Sequence, residues 1–230
     1  MNVVDRVVFD VLGQFAGSVP RFDNFVRAWS ADDMLLKGDL AMAVVWWGWF
    51  RGDEPSRARR ASVLGAVIAT AAAVVLGRAL GHVLPFRTRP AADPTLLLHL
   101  PGGAGAGDLR SWSSFPSDHA MVWGAIATGM AAVSLAASAF LAFVGVIGVC
   151  LPRIYLGLHF PTDILAGLAI GAAVGWLMTR PRLREWLAAP FLRWEDRRPG
   201  IFYAGAFLLT LHLAGMFWGI RHFGGRLLIG

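Results

Sequence analysis

The chain has 230 residues, of which 56% are hydrophobic and only 16% charged, and its mean hydropathy is +0.56. A water-soluble domain of this length needs more polar surface than that, so the composition excludes an ordinary soluble enzyme and points to a bilayer. The net charge of +6 and pI near 10.9 come almost wholly from arginines lying between apolar blocks, a pattern of membrane topology and anion binding that argues against a nucleic-acid partner.

The apolar blocks approach the roughly 20 residues a spanning helix needs, and the short alternating segments of a membrane barrel do not occur. The expected fold is therefore all-α: a polytopic transmembrane helical bundle of about six spans, forming a single membrane-embedded domain over residues 1–230. Residues 1–33 carry Asp5, Arg6, Asp10, Arg21, Asp23, Arg27, Asp32 and Asp33, too many charges for a span, and are expected to form amphipathic helices in the interface. The same charges argue against a cleavable signal peptide. The first span is drawn from Met34 to Phe50, with Lys37 and Asp39 near its outer end and Trp46, Trp47 and Trp49 in an aromatic belt. Further spans are drawn over Ala61–Leu84, Met121–Ala137, Ala139–Leu151, Pro161–Met178 and Ile201–Ile220. The lone cysteine, Cys150, lies in an apolar run and reads as a packing residue; no internal disulfide is possible.

Arginines set the orientation. Arg51, Arg57, Arg59 and Arg60 lie between the first two spans, and Arg180, Arg182, Arg184, Arg193, Arg197 and Arg198 between the last two, so both loops are expected inside the cell. A tight turn at Ala136–Ser138 falls on the same side. The long 86–116 segment, the 152–160 turn and both termini then face outward, from an inner (plasma) membrane. Within the long segment, residues 101–107 are glycine-rich and read as a lid or hinge.

Three polar clusters share that outward side: His82 to Arg89-Pro90, Phe115 to His119, and Arg153 through His159 to Asp163. Ionisable groups at an apolar boundary are costly unless they act. Their chemistry is complementary. Arg89 and Arg153 are forked donors for a phosphoryl group's equatorial oxygens, and Ser117 with the backbone N–H groups opening the next helix adds hydrogen bonds to an anion. Of two histidines, one attacks phosphorus as neutral imidazole and the other protonates the leaving oxygen. Pro161 suits the first turn of a helix, which places His159 just before it and Asp163 within that turn, where the carboxylate can accept from one imidazole nitrogen. Asp163 opens a run at four-residue spacing with Gly167, Gly171 and Gly175, a smooth face for another helix. His99, His212 and His222 read as interfacial or bundle residues. Arg87 reads equally as a phosphate contact or a headgroup anchor.

The three clusters resemble the type 2 phosphatidic acid phosphatase superfamily, whose signature is K-x6-R-P, then P-S-G-H, then S-R-x5-H-x3-D. The second motif stands here as Pro116-Ser117-Asp118-His119 and the third as Arg153, His159 and Asp163. The first is partial, with Arg89-Pro90 in place and His82 where the family has lysine; Pro152 replaces the serine before Arg153. Asp118 in place of glycine, and more softly the 9–25 stretch, resemble the bacterial undecaprenyl diphosphate phosphatases. The matched core runs from Arg78 to Gly175.

The resemblance implies that His159 forms a phosphohistidine, His119 is the general acid and Asp163 orients His159. It also implies that Arg89, Arg153, Ser117 and the Asp118 backbone N–H hold the phosphate. Arg78, one helical turn before His82, could supply the charge of the missing lysine. No metal or cofactor is implied, and the partners are a lipid phosphate or diphosphate and the surrounding lipids. A metal hydrolase using His119, His159 and Asp163 is disfavoured by the arginines beside them. A second rival is an altered protein that binds or transports a lipid phosphate without chemistry. A third is vanadate-dependent haloperoxidase chemistry, which the expected spans oppose. The identity of the lipid is not encoded in the motifs.

Overall fold

The structure is a computed structural model and describes residues 1–31, 37–52, 56–101 and 111–214. Asp32, Asp33, Met34, the glycines from 102 to 107, His222 and the last residues of the sixth expected span lie outside the described residues. Those described form helices and connections, with no strand.

Two N-terminal helices, α1 (Val3–Gly13) and α2 (Pro20–Ala31), come first. On α1, Val3, Val4, Val7 and Val11 are exposed while Asp5 and Phe9 are buried; on α2, Phe22 and Phe25 are exposed while Asp23, Val26 and Ser30 are buried. Both helices thus expose large apolar side chains alongside the charged Arg6, Asp10 and Arg21, as helices lying in a lipid interface do, and each buries one carboxylate. Asp23 accepts from the Tyr155 hydroxyl at 2.5 Å and from Gly17 N at 3.0 Å, docking α2 on the bundle.

The bundle comprises α3 (Asp39–Phe50), α4 (Arg57–Val83), α5 (Asp118–Met130), α6 (Leu135–Phe143), α7 (Leu151–Tyr155), α8 (Pro161–Met178), α9 (Pro181–Arg197) and α10 (Pro199–Ala214). A widened π-turn segment, Val144–Cys150, joins α6 to α7 in one continuous helix. Among the described residues, Arg57–Val83, Leu135–Tyr155 and Pro161–Met178 are long and apolar enough to cross a membrane, and Pro199–Ala214 is a shorter apolar helix. Serines set several starts: Ser56 accepts from Arg59 N, Ser117 from Ala120 N and Ser134 from Ala137 N. Prolines open α8, α9 and α10, where the missing N–H costs nothing.

The fifth expected span coincides with α8. The turn expected at 136–138 lies instead at 131–134, because the Ser134 cap starts α6 there and not the later Ser138. Residues 181–197, read as a loop because of their arginines, form the amphipathic helix α9. Arg60 pairs with its Glu195 at 2.5 Å, and its Arg184 donates to Ser62 at 2.9 Å, so those charges tie α9 to the foot of α4.

At the centre, α5 is wrapped by α4, α6 and α8, with Met121, Ala125 and Met130 fully buried. The four-residue glycine spacing of α8 lies against α5 as expected. A Cβ at Gly167 would sit 2.5 Å from the Ser117 carbonyl oxygen, and one at Gly171 would come closer still to that of Met121. Gly81 of α4, by contrast, has nothing within 4 Å of such an atom. Gly171→Val is therefore expected to destabilise the protein by about 3 kcal/mol or more, since backbone and not a flexible side chain must give way. Gly81→Ala should be neutral or stabilising by up to about 1 kcal/mol. Thermal unfolding of both variants in detergent checks this; equal melting temperatures would contradict the close α5–α8 contact.

Candidate active site

The α5–α8 contact brings two helix starts together. Ser117, fully buried, caps α5, and its backbone N–H donates to the Asp163 carbonyl at 3.2 Å in the first turn of α8. The loop after α4 runs alongside: Ser114 N donates to Arg87 O at 2.9 Å, and Ala91 N to Gly157 O at 2.8 Å. Gly157 has φ +68°, and a Cβ there would press on Leu100 and Ala91, so only glycine suits this turn. The three polar clusters meet at these crossings.

His159 is buried between two groups that allow only one protonation pattern. Its Nδ1 lies 2.8 Å from the Ser114 carbonyl oxygen, an acceptor, and its Nε2 lies 3.2 Å from Nη1 of Arg89, a donor. The ring is thereby held neutral with its proton on Nδ1 and a lone pair on Nε2. Burial, and next the nearby Arg89 charge, lower the His159 pKa below the ordinary histidine value of 6.5, against the opposing pull of Asp163.

Asp163 was expected to accept from His159, but its carboxylate stands 3.8 Å from Nδ1, behind the Ser114 carbonyl that takes the hydrogen bond. Its oxygens are engaged by Phe160 N at 2.8 Å and by Nη1 of Arg87 at 2.5 Å. What Asp163 offers the imidazole is thus charge at short range. Arg87, read as a phosphate contact or a headgroup anchor, is turned to Asp163 and to Asp5 of α1 and lies over the Phe160 ring.

Arg89 and Arg153 are both buried, Arg89 against His159 and Arg153 near Arg89. Arg89 also donates to the Leu158 carbonyl at 2.8 Å, and Arg153 donates to Ser30 of α2 at 3.3 Å. On the opposite side, His119 Nδ1 lies 2.8 Å from Oδ1 of Asp118, whose Oδ2 pairs with Arg78 at 3.2 Å. The Asp118 side chain, not weighed from the sequence, is therefore the partner of His119. Arg78 stacks over Trp112 and pairs with Asp118; His82, at the position of the family lysine, is exposed and packs its ring on the same tryptophan. The structure thus brings together Arg78, Arg87, Arg89, Ser117, Asp118, His119, Arg153, His159 and Asp163, and leaves His82 at the rim.

Asp5, Ser30 and the Ser114 carbonyl were missed by motif reading. Asp5 had a detectable signal: a carboxylate four residues before Phe9 on the face of α1 opposite its exposed valines. A main-chain carbonyl has none. Among the described residues no three His, Cys, Asp or Glu side chains converge as ligands for a metal ion.

Comparison with curated proteins and with solved structures finds no match. A family model described as the PAP2 superfamily matches residues 61–186, more than half of the chain, and that stretch contains all nine of the convergent residues. With its apolar helices and this site, the chain belongs to the PAP2 superfamily and is a membrane phosphatase of the phosphatidic acid phosphatase type.

Proposed function

We propose that the protein removes phosphate from a lipid phosphate or diphosphate at the extracytoplasmic face of the inner (plasma) membrane, through a phosphohistidine on His159 and without a metal ion. The substrate class that best fits the resemblance is undecaprenyl diphosphate or a related lipid phosphate. The observation that carries the mechanism is the clamp on His159: with Nδ1 bound to the Ser114 carbonyl, the Nε2 lone pair faces the Arg89 guanidinium, where a phosphoryl group would sit.

In the first step Nε2 bonds to phosphorus and the bond from phosphorus to the leaving oxygen breaks; that oxygen takes a proton from His119. The Asp118 carboxylate lies 2.8 Å from Nδ1 of His119 and orients the ring for this transfer. Arg89 and Arg153, with the α5 N-terminus capped by Ser117, neutralise the equatorial oxygens. Water then attacks the phosphohistidine, returns its proton to His119 and releases inorganic phosphate. Asp163 stabilises the positive charge that the ring acquires when Nε2 is phosphorylated. Two guanidiniums beside the nucleophile would repel a divalent cation, which supports the metal-independent reading.

Detergent-purified protein should release inorganic phosphate from a lipid diphosphate in excess chelator, and vanadate should inhibit it. His159→Ala should lower kcat by at least about a thousandfold. His119→Ala should still label with radioactive phosphate on His159, because loading outlasts the loss of the acid. Phosphate binding with no release by the unaltered protein would instead support a protein that binds or transports a lipid phosphate.

The pH dependence follows from the lowered His159 pKa. The nucleophile acts as the neutral base, so kcat/KM falls as pH drops through its pKa, and burial and Arg89 place that fall below 6.5. A pH profile with its acid limb above 6.5 would show that another group controls the attack.

Orientation is testable with cysteines, since native Cys150 is buried. Leu97, 90% exposed in the loop after α4, should when changed to cysteine react with an impermeant thiol reagent on intact cells. Glu185→Cys, on α9 with 66% of its side chain exposed, should react only after lysis. The reverse pattern would move the site to the cytoplasm.

A further inference from the structure

We propose that Asp5, on the interfacial helix α1, is a positioning residue for the nucleophile: through Arg87 it fixes the place and charge of the Asp163 carboxylate behind His159. This assignment rests on the phosphatase reading above.

Asp5 is fully buried on a helix whose neighbouring valines are exposed. Both of its oxygens are used. Oδ1 accepts from Thr162 N at 3.0 Å, and Oδ2 accepts from the Thr162 hydroxyl at 3.0 Å, from Asn2 Nδ2 at 2.9 Å and from Nη2 of Arg87 at 2.8 Å. Arg87 is thus shared between two carboxylates, one nitrogen to each, since its Nη1 serves Asp163 and the Thr162 hydroxyl. Phe9, one turn along α1, packs edge-on against Phe160, the residue after the nucleophile, with ring centroids 6.1 Å apart. Helix α1 therefore reaches the first turn of α8 through the Thr162 hydrogen bonds to Asp5, the charged bridge through Arg87 and the apolar Phe9–Phe160 contact.

The charged contact does more than fasten the helix. A guanidinium left with one carboxylate tends to take both of its oxygens in a forked pair. Without Asp5, Arg87 would draw the second Asp163 oxygen away from Phe160 N and from the space behind His159. The charge balance changes too. Asp5, Arg87 and Asp163 together carry one negative charge; without Asp5 the remaining pair is neutral. That charge opposes the positive groups facing the imidazole and stabilises the ring as it becomes positive on attack. Arg89 from the loop after α4, Asp118 from α5 and Asp163 from α8 act on His159 directly; Arg78 and His119 reach it through Asp118, Arg153 of α7 through Arg89, and Arg87 and, behind it, Asp5 through Asp163. Of these only Asp5 comes from outside the family-matched stretch, residues 61–186.

Asp5→Asn keeps the size and one acceptor oxygen and removes the charge. The expected result is a kcat lowered about tenfold, with KM changed less than about twofold. The acid limb of kcat/KM should also move down by about half a pH unit, because a less negative surrounding disfavours imidazolium. Asp5→Glu, which keeps the charge, should leave the limb in its original place even where its extra methylene lowers the melting temperature. Phe9→Ala loosens the same helix without touching charge and should lower the melting temperature with the limb unmoved. The assignment is overturned if Asp5→Asn matches the unaltered protein, if Asp5→Glu shifts the limb as the asparagine does, or if Asp5→Asn and Phe9→Ala lose activity alike with no shift. An unaltered protein that neither releases phosphate nor labels on His159 would overturn the phosphatase reading itself, and this assignment with it.

Discussion

Backbone contact between α5 and α8 is the constraint on which the site depends. Where Gly167 and Gly171 face Ser117 and Met121, the helices meet with no side chain between them, and the Ser117 N–H reaches the Asp163 carbonyl at 3.2 Å. In lipid no hydrophobic effect pulls helices together, so small residues that permit close packing must supply the association. The outcome is local: the N-terminal turns of two helices are held side by side. Moving α8 outward by the width of one methyl group would separate His159 and Asp163 from Ser117 and His119.

Around that contact the charges are layered. Arg89 lies against Nε2 of His159, while Asp163, 3.8 Å from Nδ1, leads on to Arg87 and Asp5. That arrangement suits the mechanism proposed for His159, neutral before attack and positive after it. The two histidines differ in what touches their Nδ1 atoms, the Ser114 carbonyl for His159 and the Asp118 carboxylate, at 2.8 Å, for His119.

Apart from Pro152 in the third motif, the departures from the family pattern fall in one place. Asp118 replaces glycine and pairs with Arg78, Arg78 stacks on Trp112, and His82 packs on the same ring in place of the lysine. These four residues form one contiguous set, so the altered first and second motifs are parts of a single rearrangement. The Asp118 carboxylate beside His119 has its counter-ion in Arg78 at 3.2 Å, the arginine that could also supply the charge of the missing lysine.

Much of this was legible in the sequence because it is written in local pattern. Apolar block length and arginine placement gave a helical membrane bundle, Pro161 and the glycine spacing gave the start of α8 and the face it buries, and the spaced motifs gave the family. Other features were not legible. Helix α9 was hidden because its arginines read as loop charges, whereas Arg184 and Glu195 are spent on the foot of α4. The partner of His159 was assigned to Asp163 from spacing, but the Ser114 carbonyl occupies that position, and a main-chain atom brought in by the long connection leaves no trace in residue identity. Asp5 looked like one interfacial charge among several until the fold placed it 2.8 Å from Arg87, 82 positions along the chain. Sequence determines what recurs within a few turns of helix; which distant groups share a buried charge is decided only when the helices pack, because buried electrostatic pairing depends on distance in space and on the exclusion of water.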